Sequence, residues 1–148
     1  MATMGDDALF VDTNVLVYAN VAEAPLHGVA LHAITQAQGN GRDLWISRQV
    51  LREYLATMTR PQTFGALPRK LVLEQVRSFG GRFKVADESW RVTEHLLQLL
   101  TVHGIGGKRV HDANIVATMM ACEIPTLLTH NVADFECFGK QIALESIG

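Results

Sequence analysis

Residues 8–19 read A-L-F-V-D-T-N-V-L-V-Y-A: a compact apolar run, an Asp-Thr-Asn triplet, then a second apolar run. Four consecutive apolar residues without alternation match a strand covered on both faces, as strands of parallel sheets are. The triplet turns the chain, and a helix is expected to open at Val15. Asp12 therefore stands at the carboxyl end of a buried strand. A helix cap or a turn is the modest explanation for such an acid, and a ligand site is the sharper one. Whether other acids share its edge of the fold decides between them.

Working outward, strands and helices alternate. Residues 25–37 carry Leu26, Val29, Ala30, Ala33 and Ile34 at helical spacing, with Pro25 in the first turn and Gly39-Asn40-Gly41 as the stop. Leu44-Trp45-Ile46 reads as a second buried strand, and Ser47 caps a helix whose apolar stripe is Val50, Leu51, Tyr54, Leu55 and Met58. Beyond a loop over 61–68, a helix over 71–79 ends at Gly80-Gly81 and a strand covers 82–85. Asp87 is expected to cap a helix running to His103 with Val92, Leu96, Leu99 and Leu100 inward. A glycine-rich loop over 104–107 precedes a helix with Ile115, Val116, Met119 and Met120, and strands follow over 126–129 and 141–144. This alternation predicts a single domain over residues 1–148. Its expected form is a three-layer α/β/α fold around a mainly parallel sheet of four to five strands joined by right-handed crossovers.

Composition agrees. A chain of 148 residues suits one core, and 48% hydrophobic against 19% charged residues excludes extended disorder. The apolar stretches are too short to span a membrane and no leader pattern opens the chain, so the expected location is the cytoplasm, with no membrane partner. Cys122 and Cys137 have neither zinc-type spacing nor disulfide density, and both are expected to be unpaired. The net charge of −2 offers no general attraction to a polyanion. Nucleic acid would have to be held by local cations, for which Arg48, Arg52, Lys108 and Arg109 are the candidates. The segment 60–70, with Phe64, Arg69 and Lys70, is a further candidate contact for substrate or partner.

Three more acids are expected at the edge marked by Asp12. Glu53 lies on the shoulder of the helix after the second strand. Asp112 is in the first turn of the helix after the glycine-rich loop, where the helix dipole favours an anion. Asp134 follows the strand over 126–129 across His130-Asn131-Val132-Ala133. Asp87 and Glu88 read as a helix start, while Asp6 and Asp7 precede the first strand, at the far end of the sheet. His111 and His130 flank site acids, but adjacent side chains on a helix or strand point elsewhere. Each acid alone has an ordinary explanation: a cap for Asp12, a solvated helix position for Glu53, a first-turn acid for Asp112, an Asx turn for Asp134. Four carboxylates at one edge would repel one another unless a cation neutralised them. Oxygen-only donors suit a hard ion, Mg²⁺ or Mn²⁺ rather than Zn²⁺, and such a site promotes phosphodiester hydrolysis.

The stretches VDTNVLVY (11–18), SRQVLREY (47–54), VHDANIVA (110–117) and THNVADF (129–135) resemble, in order and separation, the PIN-domain nucleases, and among them the VapC-type toxins of bacterial toxin–antitoxin pairs. The resemblance covers nearly the whole chain. It implies a PIN fold and a Mg²⁺- or Mn²⁺-dependent endoribonuclease that cuts structured RNA, such as transfer or ribosomal RNA, to inhibit translation. It also implies neutralisation by a cognate antitoxin, and a homodimer. Carried onto this chain, it makes Asp12, Glu53, Asp112 and Asp134 the acidic metal site, with Asn14, Thr129 and Asn131 as neighbours that orient ligands or waters. Two alternatives remain: a non-catalytic PIN-like interaction module, and a receiver-like phosphoacceptor. The latter wants an acidic pair just before the strand-end Asp and a Lys after a late strand, and this chain has neither in place.

Overall fold

Leu9, Phe10 and Val11 are all buried, and the strand they form, β1 (Leu9–Val11), lies at the centre of a five-stranded sheet. In the computed structural model, which describes residues 7–61 and 67–148, every strand pair is parallel. The other strands are β2 (Leu44–Ser47), β3 (Lys84–Ala86), β4 (Thr126–Thr129) and β5 (Ala143–Ser146), in the spatial order β3-β2-β1-β4-β5. Register is set by pairs such as Phe10 with Trp45 and Phe10 with Leu127.

The helices are α1 (Thr13–Asn20), α2 (His27–Gly39), α3 (Arg48–Thr59), α4 (Arg69–Arg82), α5 (Trp90–His103), α6 (Arg109–Cys122) and the single turn α7 (Val132–Phe135). From β1 the chain steps outward to β2 and β3, then crosses back to β4 and continues to β5. Right-handed crossovers therefore put α1 to α4 on one face of the sheet and α5 to α7 on the other. Packing agrees: α1 lies against α2 and α3, α3 against α4, and α5 along α6. The direction of winding reverses between β1 and β4, the place where an open parallel sheet leaves a crevice at its carboxyl edge. The domain is thus the expected three-layer α/β/α fold. Its strand order differs from the 2-1-3-4-5 order of receiver folds, which removes the phosphoacceptor alternative.

Several local expectations are corrected. Helix α1 begins at Thr13 rather than Val15, because the Asp12 carboxylate accepts the Thr13 N–H at 2.8 Å and starts the helix two residues sooner. Helix α2 begins at His27, since backbone bonds from Ala24 N to Val21 O and from His27 N to Ala24 O keep the preceding segment in turns. Its Val29 is 40% exposed rather than inward. Helix α4 runs through Gly80 and Gly81 to Arg82. Helical glycines cost about 1 kcal/mol each, but stopping there would separate Phe79 from Phe83. Their rings meet edge to face at 5.9 Å, and Phe79 also meets Tyr54 at 5.1 Å.

Asp87 does not cap α5; Ser89 occupies that position, and Asp87 pairs instead with Arg48. Strand β3 starts two residues later than expected because α4 runs on through Arg82. The last strand is Ala143–Ser146, because Gln141 N and Ile142 N both bond to Phe138 O and hold the preceding residues in a turn. Ser47 caps α3 as expected, its Oγ accepting the Val50 N–H at 3.2 Å. Asp7 lies at the amino end of β1, far from the Asp12 edge, while Asp6 and Phe64 fall outside the described residues. No described helix is long and apolar enough to cross a membrane. Cys122 and Cys137 are both free.

Candidate functional site: a carboxylate cleft at the strand tips

The carboxyl ends of β1 and β4 open into a cleft of about 610 Å³ lined by Asp12, Glu53, Asp112 and Asp134. All four acids singled out in the sequence therefore meet in one place, though they come from chain segments up to 122 residues apart (134 − 12).

Asp12 is the deepest of the four. It is 6% exposed, and each carboxylate oxygen has a partner. Oδ1 accepts the Thr13 N–H, while Oδ2 accepts the Thr129 hydroxyl at 2.8 Å and the Asn14 amide at 3.2 Å. Asp12 is thus both helix cap and cleft acid. Burial pushes its carboxyl up to about 6; the bonds from Thr129 and the Thr13 backbone pull it down, and the charges of Glu53 and Asp112 add to the rise.

Asn14 from α1 and Thr129 from β4 brace this corner. The Asn14 side-chain Oδ1 accepts the His130 N–H at 3.2 Å, and Thr129 Oγ accepts the Asn131 N–H at 3.0 Å. Asn131 lines the cleft and precedes α7, which carries Asp134 on its exposed first turn. His130 enters through its backbone, and its ring meets Tyr18 edge to face at 5.7 Å.

Glu53 reaches the cleft from α3 and is held at both oxygens, Oε1 by the Thr13 hydroxyl at 2.7 Å and Oε2 by the Gln49 amide at 3.0 Å. Among the described residues no arginine forms an ion pair with it. Asp112 sits in the first turn of α6 and is half-buried. Burial raises its carboxyl, as do the charges of Asp134 and Glu53, while Arg109 and His111 lower it.

The four candidate cations for nucleic acid do not converge on the cleft. Arg48 pairs with Asp87 at 3.0 Å and Arg52 with Glu88 at 2.7 Å, so both reach toward the loop before α5 and neither lines the cleft. Arg109 donates to the Asp134 carbonyl at 3.1 Å and lies over the Phe138 ring, tying α6 to the segment after β4. Lys108 is exposed at the start of α6. Arg60, at the end of α3, is a cation that does line the cleft.

Thr13, Gln49 and Asn114 were not singled out from sequence. Gln49 stands four residues before Glu53 on one helix, a spacing that brings side chains together and was a usable signal. Asn114 carries no such signal, because its partner Gln49 is 65 residues away.

An oxygen-only set of acidic donors, with Asp12 raised by burial and by neighbouring negative charge, lacks positive charge and suits a hard divalent cation. The acids are spread around the cleft wall. Among the described residues, no three His, Cys, Asp or Glu side chains stand close enough together to hold a metal ion.

Fold and cleft together define a class. Residues 9–136 match the PIN domain family, and the chain belongs to it. Solved structures with the same fold include a DNA-bound VapBC of Salmonella typhimurium, 19% identical, TM-score 0.67, covering 95% of this chain and 98% of that one. A VapBC of Rickettsia felis bound to a promoter DNA fragment is 21% identical, with a TM-score of 0.65 and coverage of 94% and 98%. A sarcin-ricin-loop-cleaving VapC toxin of Mycobacterium tuberculosis is 21% identical, TM-score 0.61, covering 80% of this chain and 86% of that one. No curated protein sequence matches the chain.

Proposed function

We propose that this protein is a divalent-metal-dependent endoribonuclease of the VapC type, which inhibits translation by cutting structured RNA and is neutralised by an antitoxin. The observation that carries the reading is the meeting of Asp12, Glu53, Asp112 and Asp134 in one cleft at the β1–β4 switch point of a PIN-family chain. Among its structural neighbours one toxin cleaves the sarcin-ricin loop, and several are toxin–antitoxin complexes, which supports both the substrate class and the partner.

The four acids supply only oxygen donors, and on drawing in from the cleft wall they would hold Mg²⁺ or Mn²⁺, with Asn14, Thr129 and Asn131 orienting them. When bound, the ion offsets phosphate charge and favours ionisation of water. Asp12, buried and fully hydrogen-bonded, keeps its place as the charge in the cleft changes. Arg60 on the rim contacts RNA phosphates and positions the strand. In the overall reaction water adds to phosphorus and the P–O3′ bond breaks; the departing oxygen takes a proton, leaving a 3′-hydroxyl and a 5′-phosphate. A homodimer belongs to the same reading and is measured by light scattering.

The test is cleavage of bulk transfer and ribosomal RNA by the full chain with Mn²⁺, with Mg²⁺ and with chelator, beside Asp112→Asn prepared identically. Cleavage that needs the metal and is lost in the variant supports the nuclease. Cleavage that survives in the variant or in chelator belongs to a contaminant, and RNA left intact under all conditions favours the non-catalytic interaction module.

A further inference from the structure

Gln49 is a side chain that neither the strand-tip acids nor the helix stripe accounts for. It is 5% exposed, and a buried amide is costly unless its bonds are made. Here they are. Its amide nitrogen donates to Glu53 Oε2 at 3.0 Å and to the His111 carbonyl at 2.9 Å, while its oxygen accepts the Asn114 amide at 2.8 Å. These partners fix the amide's orientation. Turned over, it would set its oxygen against a carboxylate and a carbonyl and its nitrogen against a second amide nitrogen.

The placement of the partners gives the network its meaning. Glu53 is on α3, whereas His111 and Asn114 are on α6, on either side of Asp112. The two helices belong to opposite faces of the sheet, so Gln49 ties the two layers together across the strand tips. With Thr13 holding its other oxygen, the Glu53 carboxylate has no freedom to swing away from the cleft. A residue that only filled space would be better apolar.

We infer that Gln49 is a positioning residue: it holds Glu53 at a set place relative to Asp112, and thereby sets the affinity of the cleft for a divalent cation. This rests on the metal-dependent reading proposed above. Outer partners of ligating carboxylates characteristically contribute about 10- to 100-fold in metal affinity, and that is the range assigned to Gln49.

The experiment measures Mn²⁺ binding to the full chain by calorimetry, and its thermal stability in chelator, for four proteins. They are the wild type, Gln49→Met, Asn114→Ala and Tyr54→Phe. Methionine keeps length and volume while removing all three bonds. Tyr54→Phe removes the 2.6 Å bond to Gln75 from the other side of the same helix and serves as the stability control. Expected are an Mn²⁺ dissociation constant raised about 10- to 100-fold in Gln49→Met, a smaller rise in Asn114→Ala, and a wild-type value in Tyr54→Phe. Cleavage of bulk transfer RNA should shift its Mn²⁺ half-saturation in parallel.

Wild-type Mn²⁺ affinity in Gln49→Met, with RNA cleavage intact, overturns the inference and leaves the nuclease reading standing. Equal weakening in Tyr54→Phe assigns the effect to a loosened α3 and overturns it as well. A wild-type protein that takes up no Mn²⁺ overturns both. If Gln49→Met does not fold, Asn114→Ala decides by the same comparison.

Discussion

Asp12 and Asp134 line the same cleft but are held in different ways. Asp12 is buried between two strand tips, with three hydrogen bonds closing on its carboxylate from α1 and β4. Asp134 is exposed on a single helical turn, and among the described residues its backbone carbonyl, not its carboxylate, is anchored, by Arg109. One acid is part of the scaffold and the other part of the rim. A buried carboxylate is placed accurately at a cost in stability, whereas a rim carboxylate is free to adapt and costs almost nothing.

The largest expected effect separates the two acids by activity. Asp12→Asn and Asp112→Asn should each lower metal-dependent RNA cleavage by about 1,000-fold or more, the several kcal/mol that charge stabilisation by such sites is worth. Asp134→Asn should retain measurable cleavage. Equal losses in single-turnover rates for all three variants would make the rim acid a full partner and end the distinction.

Next comes stability, measured with metal chelated. The folded Asp12 carboxyl keeps its proton to about pH 6, against 3.8 for the free group. Its contribution to stability is therefore complete below about pH 4 and is lost as pH rises through 6, an effect of about 3 kcal/mol. The raised carboxyl of Asp112 acts in the same direction. In chelator, Asp12→Asn should melt above the wild type at pH 8 and converge with it near pH 4, while Asp134→Asn should follow the wild type throughout. A wild-type stability that does not fall between pH 4 and 8 would show that Asp12 is not strained by burial.

Thr129→Val removes the hydroxyl from Asp12 and should cost about 1–3 kcal/mol. Urea unfolding should show a larger loss at pH 8 than at pH 5, since the charged carboxylate is the form that loses its donor; a loss independent of pH would mean that packing, not the hydrogen bond, is at stake. The smallest effects belong to the exposed ion pairs. Arg48→Ala and Arg52→Ala should each change stability by less than about 1 kcal/mol and leave cleavage unaltered. Arg60→Ala, by contrast, should raise the KM for RNA several-fold and reduce its salt dependence by about one phosphate contact. The reverse pattern in KM would return the RNA contact to α3's outer face.

Much of this was legible along the chain. The run at Leu9–Val11 is apolar throughout and buried on both faces, and Leu127 and Leu128 form the buried centre of Thr126–Thr129; both read correctly as strands. Asp12, at the end of one, and the acids in order after it were visible as a set. The start of α3 was legible because Ser47 caps it, whereas local backbone turns moved the starts of α2 and β5 and distant partners moved others. Asp87 has the residue type of a cap, but Arg48, 39 residues earlier, holds it in an ion pair. Gly80-Gly81 has the composition of a stop, yet the ring of Phe83 must remain in the core beside Phe79.

Local chemistry thus settled which segments become strands and helices and which residues carry charge at their ends, because capping, apolar runs and turn residues act over a few positions. Strand order, the burial of Asp12, the capture of Arg48 and Arg52 by acids before α5, and the Gln49 bridge from Glu53 to α6 arose only on packing. The side-chain contacts among these join groups from 36 to 117 residues apart, and all of them depend on sheet register and on how the helical layers close over it, which no short stretch of sequence encodes.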